Sequence, residues 1–129
     1  MFSNLIHKKG RKFNTKFVNK YGIAYECDFY PNLFVSDVTQ INFDDYSDIS
    51  TGSLVYVISS ALKSWFRDVY PILVKEKKII ILVTGDSVLN APLGSLGINI
   101  NELKKLKEEG IIYHWFCQNC DVDFLDYVT

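Results

Sequence analysis

The chain is poor in several features, and each shortage closes off a class of protein. No apolar run approaches the ~20 residues a membrane span needs, so no membrane partner is expected. Three cysteines are too few, and an odd number, for the paired framework of a small secreted domain. Free thiols are expected instead. The net charge is -1, so no overall field draws the protein to nucleic acid. The nucleotide fingerprints Gly-x-Gly-x-x-Gly and Gly-x-x-x-x-Gly-Lys-Ser/Thr are both missing. Missing too is the Gly-x-Ser-x-Gly elbow, which argues against a triad drawn from Ser59 or Ser87, His114 and Asp86. The first residues, Met1 to Ile6, run into His7-Lys8-Lys9 with no apolar signal-peptide core. A cytoplasmic protein is therefore expected. Arg and Ala are scarce while Lys, Ile, Asn and Tyr are common. That bias resembles an AT-rich genome and lowers the functional weight of any one Lys.

What is present is a core. Hydrophobic residues make up 48% of the 129 positions and aromatics 15%, enough for one folded domain. Its central feature is Lys78-Ile79-Ile80-Ile81-Leu82-Val83-Thr84-Gly85-Asp86-Ser87. A strand with one wet face would alternate polar and apolar residues, so this unbroken run predicts a strand covered on both faces. Leu54-Val55-Tyr56-Val57-Ile58, ending in Ser59-Ser60, predicts a second such strand. Ile111 to Cys117, ending in Gln118-Asn119, predicts a third.

Helices are expected between the strands. Leu62, Trp65, Phe66, Val69 and Tyr70 recur at helical spacing over 61–75, with Ser59 or Ser60 as cap and Pro71 ending or kinking the helix. Asn101 is expected to cap a helix over 102–109 that Gly110 stops. Between these elements, 88–97 reads as a long apolar loop of the kind that closes over ligands.

The expected architecture is an α/β, Rossmann-like three-layer domain over 1–129, with a small, mostly parallel sheet and helices on both faces. Residues 53–121 supply the β-α-β-α-β unit, and 1–50 are less regular. Over 7–20, Lys and Arg occur without acids, which reads as the solvated face of a short helix with Phe13 and Phe17 inward. Ile23-Ala24-Tyr25 and Leu33-Phe34-Val35 are short β-like runs about a turn at Tyr30-Pro31-Asn32. Asp37, Asp44, Asp45 and Asp48 lack calcium-loop spacing and read as a polar loop. No metal and no cofactor is expected.

Parallel strands bring their carboxyl ends to one edge, where open α/β sheets bind ligands. Ser59, Ser60, Thr84, Gly85, Asp86, Ser87, Gln118 and Asn119 are the substrate-contacting candidates there. Asp86 is a candidate base or hydroxyl ligand, or else a turn cap. His114 reads first as a core histidine held by one nitrogen, and otherwise as a general base. Cys117-x-x-Cys120 has a redox spacing. Its place at a strand end, beside Asp121, opposes thiolate formation. Zinc would have to borrow His114 or Cys27 at irregular spacing.

Leu-Val-Thr-Gly-Asp-Ser at 82–87, after the Trp65-Phe66 helix and before His-Trp-Phe-x-Gln-Asn at 114–119, resembles exostosin-like glycosyltransferases of eukaryotes and large DNA viruses. The likeness covers about residues 53–121. It implies a Rossmann-like N-terminal domain of a two-domain transferase, with Thr84, Gly85, Asp86, Ser87, Gln118 and Asn119 facing the interdomain cleft. By analogy with such transferases, this half binds the acceptor and the other the nucleotide sugar. The family continues where this sequence stops, at Thr129, so the domain is expected to be inactive alone. Asp86 or His114 would be the base. The alternative is a non-catalytic module, binding a small molecule or assembling as a homodimer through open sheet edges and aromatic-rich regions.

Overall fold

The computed structural model describes residue 24 and residues 26–31, 38–85, 90–122 and 126–129. Three strands, β1 (Leu54–Ile58), β2 (Ile80–Gly85) and β3 (Ile112–Cys117), form one sheet in the order β1-β2-β3. Both pairings are parallel. β1 and β2 are buried at every position, as their unbroken apolar runs require.

β3 is less covered than its sequence suggests. Ile112 and Trp115 are buried, Tyr113 is exposed, and His114, Phe116 and Cys117 are half-buried. The register explains part of this. Ile80 pairs with Ile112 and Ile81 with His114, so Tyr113 is an extra residue in a bulge.

Among the described residues the strands are accompanied by the helices α1 (Leu62–Asp68), α2 (Tyr70–Glu76), α3 (Leu93–Leu96) and α4 (Ile100–Glu109). The helix expected over 61–75 is broken at Val69, with Pro71 in the first turn of α2. There its missing N–H costs nothing and its ring cannot clash with a preceding turn. The second cap is Asn99, not Asn101; its side chain accepts from the Glu102 N–H at 3.0 Å. Gly110 closes α4 at φ 76, a left-handed value that glycine adopts without strain.

The two faces of the sheet carry separate cores. Val55, Val57, Ile80, Leu82 and Trp115 pack with Leu62, Trp65, Tyr70, Leu73 and Leu103 of the helices. Leu54, Tyr56, Ile58, Ile81 and Val83 face the other way, onto Ala24 and Cys27. Strands added in consecutive order by crossovers of one hand place their helices on one face. α1, α2 and α4 accordingly share a face, and the helical Ala24 lies on the other. Ala24 was expected in a β-like run, so that reading is corrected. The short helix expected within 7–20 and the run 33–35 lie outside the described residues.

The outer edges of the sheet are not open. Phe29 bridges Val55 and Val128 bridges Trp115, both in parallel sense. On the β1 side, the Tyr56 N–H reaches the Phe29 carbonyl at 2.8 Å. On the β3 side, Trp115 N–H donates to Tyr127 at 2.7 Å, and Thr129 N–H donates to Trp115 at 2.9 Å. Both flanks are partly paired within the chain, which corrects the expectation of two bare edges. No helix among the described residues is long and apolar enough to cross a membrane.

Candidate functional site

The register fixes which strand ends share a rim. Ile58 pairs with Gly85, and Thr84 pairs with Cys117. The Gln118 N–H continues the ladder to the Thr84 carbonyl at 2.9 Å. Ser59, Gly85 and Gln118 therefore stand at the same edge, the carboxyl edge of all three strands.

The candidates divide by exposure. Gln118 and Asn119 are exposed. They form a turn with Asn119 at φ 54, a conformation that asparagine tolerates better than most residues. Gly85 lies directly beneath. A Cβ there would stand 2.5 Å from Gln118 Oε1 and 3.1 Å from the Tyr56 hydroxyl. Glycine is what allows the Gln118 side chain to lie against the end of β2.

Ser59 and Thr84 are buried, at 0% and 2% exposure, so they lie beneath the surface of the rim and not on it. Thr84 Oγ1 accepts from the Trp115 indole at 3.0 Å. Ser59 Oγ has no hydrogen-bond partner among the described residues. Ser60 is the middle residue of the short 3-10 helix Ser59–Ala61 that leads into α1, and its hydroxyl donates to the Val38 carbonyl. Asp86 and Ser87 lie outside the described residues.

His114 does not join this rim. It pairs with Ile81, four residues before Gly85, which at about 3.3 Å per residue is roughly 13 Å down the strand. Its Nε2 lies 3.0 Å from Thr129 Oγ1, and its ring lies 4.5 Å from that of Phe116. Burial lowers its pKa from the ordinary histidine value, so the neutral ring is favoured. One nitrogen is held, as the first of its two sequence readings expected, but the ring is half-buried rather than in the core.

Asp121 has a role here that sequence reasoning missed. Its two carboxylate oxygens accept from the Leu93 N–H at 3.0 Å and the Gly94 N–H at 2.8 Å. These are orphan donors at the start of α3, so Asp121 caps a helix from 28 residues away. Beside it, Ala91 bridges Cys120, and the Asp121 N–H donates to Ala91 at 2.9 Å. The loop after β2 is thereby stitched to the loop after β3. The expected long loop contains α3 and is tied down from position 90 onward.

A concavity lies beside Lys78, which leads into β2 at the opposite, amino edge of the sheet. Phe43, Tyr46, Ile49, Val69, Ile72 and Leu73 wall a cleft of about 250 Å³, with Asp48, Glu76 and Lys78 among its polar lining. No sequence signal marked it, because its walls come from a 3-10 helix and from α2, far apart in the chain. Asp44 and Asp45 lie in the first turn of that 3-10 helix. Among the described residues no cluster of three His, Cys, Asp or Glu is arranged to hold a metal ion.

Set against protein-family models, curated proteins and solved structures, the chain matches none of them.

Proposed function

We propose that the domain is the acceptor-side part of a glycosyltransferase-like protein, and that the carboxyl rim of its sheet takes a sugar. The observation that carries the reading is the exposed Gln118-Asn119 turn, seated over Gly85 at the tip of the central strand. A carboxamide both donates and accepts, as a sugar hydroxyl does, so two adjacent ones suit a polyhydroxyl ligand. The position also agrees with the rule that open parallel sheets bind beyond their carboxyl ends. The exostosin-like motif 82–87 crosses this tip, and its partner motif supplies the turn.

Sugar transfer needs a base to deprotonate an acceptor hydroxyl. Of the two groups proposed for that role, Asp86 follows Gly85 directly in the chain, whereas His114 sits far down β3. The base is therefore assigned to Asp86 and withdrawn from His114. The proposal is for acceptor binding by this domain, with the nucleotide sugar supplied by a second half in a two-domain protein.

A second reading, a non-catalytic binding module, is favoured by the amino-edge cleft and by the buried state of Ser59 and Thr84. Calorimetric titration with simple sugars and nucleotide sugars separates the two. The first reading expects saturable sugar binding that weakens at least tenfold in Gln118→Ala and Asp86→Ala. Binding that survives both substitutions but is lost in Ile72→Asp moves the site to the cleft. No heat with any sugar removes the first reading.

A further inference from the structure

We propose that Cys117 and Cys120 are an oxidisable pair that closes into an intramolecular disulfide around the Gln118-Asn119 turn. Both thiols are free, as is Cys27. The Cys120 thiol donates to the Val122 carbonyl at 3.3 Å, a bond it gives up on oxidation. Cys117 and Cys120 also pack against the same hydrophobic core.

The turn supplies the geometry. Gln118 and Asn119 are its two central residues, and Asn119 is left-handed. The ends of such a turn have Cα atoms less than about 7 Å apart. A disulfide spans roughly 4.4–6.8 Å between Cα atoms. Ring closure therefore needs side-chain rotation more than backbone movement. The flanks are held while this happens, by Gln118 N–H on Thr84 and Asp121 N–H on Ala91.

The oxidant is a low-molecular-weight disulfide such as oxidised glutathione. The Cys120 thiolate attacks one sulfur of the oxidant and expels one glutathione thiolate. The Cys117 thiolate then attacks the Cys120 sulfur of the mixed disulfide and expels the second. Two protein thiols lose two protons and two electrons, and the oxidant leaves as two thiols. The first attack falls to Cys120, because burial pushes the Cys117 thiol well up from the ordinary range. Closure is consequently slow at neutral pH and quickens in mild alkali.

This is not the arrangement of a thiol oxidoreductase, whose attacking cysteine opens a helix. Here the pair ends a strand, and the residues it encircles are the two exposed carboxamides of the rim. A closed ring would fix their spacing. That consequence rests on the sugar-binding reading, whereas formation of the disulfide does not.

Intact-mass analysis of the folded protein tests the pair directly. Incubation with oxidised glutathione in mild alkali, followed by denaturing alkylation, should leave one alkylatable cysteine where the reduced chain has three. Peptide mapping should place the lost two hydrogens between Cys117 and Cys120, with Cys27 alkylated. Cys117→Ser should stop at a stable glutathione adduct on Cys120. A persistent adduct on the unsubstituted protein, a bond to Cys27, or thiols that oxidise only after unfolding would each overturn the proposal. Sugar titration of the oxidised form then reads the effect on the rim separately.

Discussion

The Trp115 indole N–H donates to the Thr84 hydroxyl at 3.0 Å, between neighbouring parallel strands and out of contact with solvent. Trp115 pairs in register with Leu82, so its ring leans two residues along β2 to reach Thr84. The bond gives a buried donor its acceptor on the helix-covered face. It also explains why a polar residue is tolerated inside β2.

Replacing that acceptor should be costly. Thr84→Val keeps the shape but leaves the indole N–H unpaired, and is expected to destabilise the domain by about 1–3 kcal/mol. Thr84→Ser, which keeps the hydroxyl, should cost clearly less. Urea denaturation followed by circular dichroism measures both, and a larger loss in the Ser variant than in the Val variant would show that the methyl group rather than the hydrogen bond matters.

Gly85→Ala should crowd the rim. The new Cβ would meet Gln118 Oε1 at 2.5 Å and Gln118 Cβ at 3.2 Å. Overpacking of this kind costs about 1–3 kcal/mol. Adding Gln118→Ala removes the nearer atom, so the double variant should regain part of the loss. A double-mutant cycle with no coupling would mean that the two residues do not touch in solution.

Asp121→Ala strips the acceptors from Leu93 N–H and Gly94 N–H. Loss of a cap typically costs about 1 kcal/mol. The effect should be local, since α3 is only four residues long. Hydrogen exchange is the sensitive readout: faster exchange at 93–97 with the sheet unchanged is expected, and unchanged exchange there would contradict the capping role.

His114 gives a pH dependence of defined sign. Its folded pKa lies below the unfolded value near 6.5, because burial disfavours the charged ring. The unfolded chain therefore binds the proton first as pH falls. Stability from this group is complete above about pH 6.5 and declines as pH drops through the window below it. Thermal melts between neutral and mildly acidic pH should show a shallower decline for His114→Gln than for the unsubstituted protein. Parallel curves would place the titrating group elsewhere.

Much of the fold was legible because its signals are local. The unbroken runs at 54–58 and 80–83 mark strands with no wet face whatever surrounds them. Pro71 and Gly110 punctuate helices through their own backbone chemistry. Asn99 was passed over for Asn101 because capping residues stand at both positions. The choice between them is made by where the chain enters α4, which spacing alone does not fix.

The sequence by itself determined that buried strands alternate with helices and that polar clusters close the strands. Tertiary structure alone decided which of those polar groups turn inward. Thr84 meets Trp115 over 31 positions and Asp121 meets Leu93 over 28, and docking rather than periodicity sets such partners. The bulge at Tyr113 and the parallel register then placed His114 mid-strand and left Gln118 at the tip. Parallel pairing turns a one-dimensional spacing into a height along the sheet, and that height separates the rim from the core.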